Sequence, residues 1–343
     1  MPTLLKSKSI YFNDVNLLPA PGKVKSRKEV PNELHRVIVS PMVSVVGETF
    51  IKEAAKLGLS VCTPRFLPMQ KKINGQHFFN INRIDNRQIC FLSIGLNESL
   101  EDLLKLNAYN RFPQNVLFDI ANGYVPHLEE SVKRVYDIIG PFKNLMVGNI
   151  VTLGGFYQLE KLVDYCDNLF IRVGIGNGKP CSSSDVAAVN RGQLTELFEL
   201  VGVKDQINKL LIKDGKRINL ISDGGISKSG FALKAFGAGA DYVLMGSYFS
   251  KAEEAETHIS GDGTYFGCAS EKQNKLAGLT KHSEGKVMEV NKNEIKPLKY
   301  LVDELWGGIS SGISYVGYQS VGQFIGKGIF EEKCNSLPPK GRV

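Results

Sequence analysis

The sequence predicts an α/β barrel of eight parallel strands, most of them followed by a helix. Three observations carry that reading. Short β-branched and apolar runs that end in Gly, Asp or Asn alternate with helical patterns along most of the chain. The strand runs are almost continuously apolar, as strands of a parallel sheet buried on both faces must be. No GxGxxG follows the first run, which disfavours an open, doubly wound sheet.

The elements follow in order. Val37–Val39 leads to a helix over 47–57, and Leu59–Cys62 leads to a loop. Ile89–Ser93 precedes a helix over 98–106, and Val116–Asp119 precedes His127–Ile139. Asn144–Val147 is followed by a helix over Gly155–Cys166. Leu169–Val173 opens a long Gly/Ser-rich loop that ends in a helix from Gln193 to Val201. Ile218–Ser222 leads to Lys228–Phe236, and Tyr242–Met245 to a further helical stretch. Eight such units in about 220 residues give one (β/α)8 barrel domain spanning 1–343, rather than the two domains that length alone would suggest. Residues 261–299 break the rhythm with polar turns and an expected hairpin around Lys286–Val290. They read as an insertion after strand eight, followed by a C-terminal helical segment. Long insertions at that end of a barrel usually serve a site.

Composition narrows the function classes. Of 343 residues, 43% are hydrophobic and 22% charged, which excludes disordered, fibrous and disulfide-stapled classes. The net charge of +7 is spread along the chain. Its densest cluster, Lys23–Lys28, is either a solvated loop or a phosphate contact, and no aromatic-interleaved basic run points to nucleic acid. No two of the six cysteines are closer than 15 residues, so no zinc or CxxC spacing exists. No signal peptide is expected over Met1–Ser9. The uncharged stretch Leu305–Gly326, with six glycines and four serines, is too rich in small residues for a membrane span. A reducing, cytoplasmic setting is expected.

Barrel enzymes place their chemistry at the C-terminal ends of the strands. Ser222-Asp223-Gly224-Gly225 follows strand seven and Met245-Gly246-Ser247 follows strand eight. These glycines either make tight turns or let backbone N–H groups approach a phosphate. Asp223 suits ribose hydroxyls, since its charge repels phosphate. After strand six comes Gly174-Ile175-Gly176-Asn177-Gly178-Lys179-Pro180-Cys181, whose alternating glycines free backbone carbonyls for a hard or monovalent cation. Cys181, at the barrel mouth and followed by three serines, is a candidate nucleophile. The other cysteines read as small core residues, except that Cys268, in the insertion, could touch a ligand. Glu284, in the insertion loop, is either a solvated charge or a general acid/base.

Together these residues resemble the family of IMP dehydrogenases and GMP reductases. The resemblance rests on VGIGNGKPC (173–181), SDGG (222–225), YFNDVNLLP (11–19) and VSPMVSVVGE (39–48), which cover nearly the whole chain in the right order. DIANGY (119–124) and SEGK (283–286) resemble the reductase branch; GNIVT (148–152) is shared. The dehydrogenases typically have glutamine where Glu284 stands, and an amide cannot exchange a proton with departing ammonia. The regulatory modules and long flap usual in dehydrogenases have no room here.

The resemblance implies NADPH-dependent reductive deamination of GMP, or a related guanine nucleotide, to IMP in purine salvage. It implies a catalytic set of Cys181, Ser183 and Glu284. Asp223, Gly224, Gly225, Gly246 and Ser247 would hold the ribose phosphate, with Cys268, Ser270, Lys281, Ser283 and Gly285 around the base. Ser26, Arg27, Arg65, Asp119, Ala121, Tyr315 and Gly317 would hold the nicotinamide cofactor. Carbonyls of Gly176, Gly178 and Cys181 would bind K⁺. A homotetramer is implied, with no nucleic-acid or membrane partner. The chain departs from the family at Ser182-Ser183-Ser184, Lys179, Arg65 and Cys268. Two alternatives are an IMP dehydrogenase lacking regulatory modules and a purine-nucleotide-binding protein that has lost catalysis.

Overall fold

The eight apolar runs form parallel strands that close into a barrel. They are β1 (Val37–Val39), β2 (Ser60–Cys62), β3 (Cys90–Ile94), β4 (Asn115–Phe118), β5 (Phe142–Ile150), β6 (Cys166–Val173), β7 (Arg217–Asp223) and β8 (Tyr242–Met245). The computed structural model describes residues 8–67, 87–98, 102, 104, 114–178, 186–267, 270–276 and 285–333. The ring closes where β1 pairs with β8, Val37 opposite Val243 and Val39 opposite Met245.

Strand side chains alternate faces, so one set from each strand points down the barrel axis and the other points outward to the helices. The interior set is a separate apolar cluster that includes Ile38, Cys62, Phe91, Leu117, Met146, Phe170, Ile221 and Leu244. The outward set joins the helices in the main core. Moving two residues on from this interior set brings Gly148, Arg172, Asp223 and Asp119 to the C-terminal mouth. Moving two residues back brings Asn144, Asn168, Asn219 and Tyr242 to the opposite end. The plug is apolar and both of its ends are polar.

The helices form where apolar residues recur at three- and four-residue spacing. α1 (Glu48–Leu57) buries Phe50, Ile51, Ala54 and Ala55 and ends at Gly58 in the left-handed conformation, φ 76°. α2 (Leu128–Ile139) buries Leu128, Val132, Val135 and Ile139. α3 (Leu153–Leu159), α4 (Gln193–Leu211), α5 (Ser229–Gly237) and α6 (Leu298–Tyr315) complete the outer layer. The helix expected over 155–166 is shorter. Its α-helical part is Leu153–Leu159, a 3-10 stretch covers Glu160–Tyr165, and Cys166 already begins β6. Thr152 sets the start by accepting from the Gly155 N–H at 3.3 Å. α4 runs ten residues past the expected end at Val201, to Leu211. In the helix expected over 98–106, only Asp102 and Leu104 are described as helical.

The insertion after β8 holds a two-stranded antiparallel ribbon. Val287–Glu289 pairs with Thr264–Phe266, about twenty residues upstream, rather than closing a local hairpin around 286–290. No helix among the described residues is long and apolar enough to cross a membrane.

Candidate active site at the barrel mouth

The mouth is built around one buried cation. Arg172 is the only charged residue in Leu169–Val173, and strand alternation points it up the barrel axis beside Phe170. Its Nε donates to Asp223 Oδ2 at 2.9 Å and its Nη1 to Asp119 Oδ1 at 3.1 Å. The Arg172 side chain is 10% exposed and those of Asp119 and Asp223 are 9% and 15%. Burial works against the guanidinium charge, but Asp223 and Asp119 outweigh it and hold the pKa above its ordinary value. Room for Arg172 comes from its neighbour Gly148, where a Cβ would fall 2.6 Å from the arginine Cβ.

Asn149 completes the cluster. Its Nδ2 donates to Asp223 Oδ2 and to the Gly174 carbonyl, both at 2.7 Å, while its buried Oδ1 has no partner among the described residues. Both Arg172 and Asn149 converge on one oxygen of Asp223, Oδ2. Neither residue was among the sequence-derived site residues. The signal available was a lone arginine at an interior position of an apolar strand.

Around this cluster the glycine loops close in. Gly224 has φ 109°, and a Cβ there would lie 3.2 Å from the Gly178 N. The loop after β7 therefore sits directly on the loop that leads to Cys181. α5 starts at Ser229, four residues beyond Gly225, so its free N–H groups lie close to the glycine pair. Gly246 lies against the Tyr265 hydroxyl and Met42 sulfur, bringing the loop after β8 against the insertion ribbon. Ser44, just beyond β1, donates to the Phe266 carbonyl at 3.3 Å. Ser270 bridges to Gly285, which places the residue after Glu284 beside the fully buried Ser270.

Of the sequence-derived residues, Asp223, Gly224, Gly225, Gly246, Ser247, Gly176, Gly178, Asp119 and Ala121 share this end of the barrel. Arg65 joins them by donating Nη1 to the Asp119 carbonyl at 3.1 Å. Cys181, Ser183, Glu284, Cys268, Lys281 and Ser283 lie outside the described residues, as do Lys179, Ser182 and Ser184. The remaining cofactor residues stand elsewhere. Ser26 caps a 3-10 turn at Arg27–Glu29. A Cβ on Gly317 would lie 2.6 Å from the Pro21 carbonyl, and Ala20 N–H bonds the Tyr315 carbonyl at 3.0 Å. α6 starts near the mouth, where the Tyr248 hydroxyl reaches the Leu301 carbonyl at 2.9 Å. Its 18 residues span about 27 Å. Just past its end, the Gly322 N–H bonds Glu33, ahead of the N-terminal end of β1, at 3.1 Å. Tyr315 and Gly317 thus stand at the C-terminal end of α6, against Ala20 and Pro21.

The described cysteines are poor nucleophiles. Burial pushes the Cys62 and Cys90 thiols well up, and that of Cys166 to about 12.

One buried acid stands in the first turn of α4. Glu196 is fully buried there, and neither carboxyl oxygen has a hydrogen-bond partner among the described residues. Arg191, the nearest cation, is engaged by Glu199 and the Val151 carbonyl. Burial raises the Glu196 pKa from 4.5 to about 9, against a smaller lowering by Arg191. Between these values the unfolded chain ionises while the folded chain stays protonated, so stability falls as pH rises through the window. Glu196→Gln is expected to remove that slope, up to about 1.4 kcal/mol per pH unit, and to leave the variant more stable than the parent at pH 8 but not at pH 4.5. Urea unfolding at the two pH values reads this; parallel behaviour of parent and variant would show that Glu196 is ionised in the fold.

Fold and site define a (β/α)8 barrel with a polar, glycine-rimmed mouth. The family model for the IMP dehydrogenase / GMP reductase domain matches residues 84–337, and the chain belongs to that family. Mouse GMP reductase 2 is 33% identical over 92% of this chain and 92% of its own length. Human GMP reductase 1 is 30% identical over 92% and 93%, and the GMP reductase of Escherichia coli O81 (strain ED1a) 26% over 89% of each.

Proposed function

We propose that this protein is a GMP reductase-like oxidoreductase that converts GMP, or a related guanine nucleotide, to IMP and ammonia. The observation that carries the reading is the buried Arg172–Asp223–Asn149 cluster. It lies beneath glycine loops that flank Cys181 and beside the ribbon that leads to Glu284, in a chain whose full-length relatives are named GMP reductases.

In this reading Asp223 accepts from the ribose hydroxyls, its carboxylate fixed by Arg172 and Asn149. Backbone N–H groups of Gly224, Gly225, Gly246 and Ser247 hold the phosphate. Cys181, as thiolate, adds to C2 of the guanine. Glu284, working through the Ser183 hydroxyl, protonates the 2-amino group. The C2–N bond breaks, ammonia leaves and a thioimidate on Cys181 remains. NADPH, when bound, supplies a hydride to C2. The C2–S bond then breaks, returning the thiolate and releasing IMP. Cys268, Ser270, Lys281, Ser283 and Gly285 border the base.

Arg65, Asp119 and Ala121 receive the nicotinamide half of the cofactor; the Arg65 contact to Asp119 fits this role. Ser26, Arg27, Tyr315 and Gly317 take the rest of the cofactor; the place of Tyr315 at the end of α6, about 27 Å from the helix start near the mouth, favours their doing so for a neighbouring copy in a homotetramer. K⁺ would sit on carbonyls of Gly176, Gly178 and Cys181. The positive φ of Gly176, 81°, supports this by turning the loop backbone in a way other residues resist. A cytoplasmic setting suits these roles.

Glu284→Gln tests the proton assignment. The variant is expected to lose ammonia release at least 100-fold while still oxidising NADPH when supplied with a preformed Cys181 thioimidate. Equal loss of both steps would show that Glu284 does not handle the ammonia proton.

A further inference from the structure

The end of the barrel opposite the active site is not closed by apolar side chains. A cavity of about 290 Å³ opens there, at the N-terminal ends of the strands. Its floor is Phe170 and Tyr242, whose rings lie 5.1 Å apart. Its rim carries Arg36, Arg87, Lys143 and Arg217 together with His35, and no carboxylate among the described residues lines it. These cations come from four separate segments, ahead of β1, ahead of β3 and at the starts of β5 and β7.

Three features make this a built site. Asn219 is 4% exposed and lines the cavity between the cationic rim and the aromatic floor. The arginines are held in place: Arg36 Nε donates to Glu33 at 3.0 Å and Nη1 to the Asp241 carbonyl at 3.2 Å, and Arg217 Nη2 reaches Asp241 Oδ1 at 3.3 Å. Asp241 is 1% exposed, and its other oxygen accepts from Lys204 at 3.0 Å, so its charge is spent beneath the cavity. Lys143 is exposed and forms no salt bridge among the described residues.

We propose that this cavity is a second ligand site, which binds a small anion carrying two or more phosphates. Guanidinium forks match phosphate oxygens, and an ammonium adds a point charge. The volume equals about ten waters, which exceeds one phosphate and suits a di- or triphosphate. The charges encircle the opening, so a single phosphate could not reach them all. An inorganic polyphosphate and the phosphate tail of a nucleoside triphosphate share this chemistry.

Titration calorimetry of the full chain with inorganic triphosphate, in parallel with adenosine triphosphate, tests the site. The anion is expected to bind more weakly as salt rises, and Lys143→Glu or Lys143→Ala, both at an exposed position, to weaken it at least tenfold. Lysine-reactive labelling reads the place directly: saturating triphosphate should protect Lys143. Tighter binding of the nucleotide would assign the ligand as a nucleotide, and equal binding as the phosphate chain alone. Unchanged affinity in both Lys143 variants, or full labelling of Lys143 at saturation, would overturn the proposal. The mouth's own phosphate loops do not include Lys143, so binding there leaves both readouts unmoved.

Discussion

Replacement of Arg172 by leucine is expected to destabilise the fold by about 3–5 kcal/mol at pH 7 and to abolish nucleotide binding. The guanidinium is shared by two buried carboxylates, Asp119 and Asp223. Removing one partner of a buried ion pair costs far more than the pair contributes, because the remaining charge stays desolvated. Here two buried carboxylates lose the one cation they share. Arg172→Lys keeps the charge but loses the fork that reaches both acids at once, so it should recover only part of the stability. Urea unfolding of parent, leucine and lysine variants at pH 7 measures the effect. A leucine variant as stable as the parent at pH 7 would mean that the cluster does not organise the mouth.

The barrel was legible in the sequence because strands buried on both faces are written as apolar runs, such as Cys90–Ile94, with glycine or acid at their ends. The loops that ring the mouth were legible for the same reason: the glycines of 174–178 and 223–225 mark a backbone few other residues adopt. Less legible was anything fixed by pairing at a distance. Val287–Glu289 finds its partner at Thr264–Phe266, and nothing local specifies that choice. Arg172 was hidden in a strand that reads as apolar. Only after alternation is counted from Phe170 does its place inside the barrel appear. The same counting from Met146, Phe170 and Ile221 places Asn144, Asn168 and Asn219 at the opposite end. Glu196 sits at a helical position that periodicity reads as core, and burying an unpaired acid there defies that pattern.

Cys181 and Glu284 lie outside the described residues, so their assignment rests on sequence and on where their flanking loops stand. Gly178 is packed against Gly224, and Gly285 is bridged to Ser270. If Cys181 is the nucleophile, its loss should cost activity by at least 10⁴-fold, since no described cysteine can replace it: burial keeps the thiols of Cys62, Cys90 and Cys166 protonated. Cys181→Ala should still bind the nucleotide, because Asp223 and the glycine loops are untouched. That separates loss of chemistry from loss of binding.

The most direct measurement follows NADPH absorbance and ammonia together when the protein is given GMP, with dGMP and IMP as comparison substrates. The expected result is one ammonia released for each NADPH oxidised with a guanine nucleotide, and neither in Cys181→Ala. Tight guanine-nucleotide binding without turnover, turnover that persists in Cys181→Ala, or oxidation of IMP with NAD in place of GMP reduction would contradict the reductase assignment.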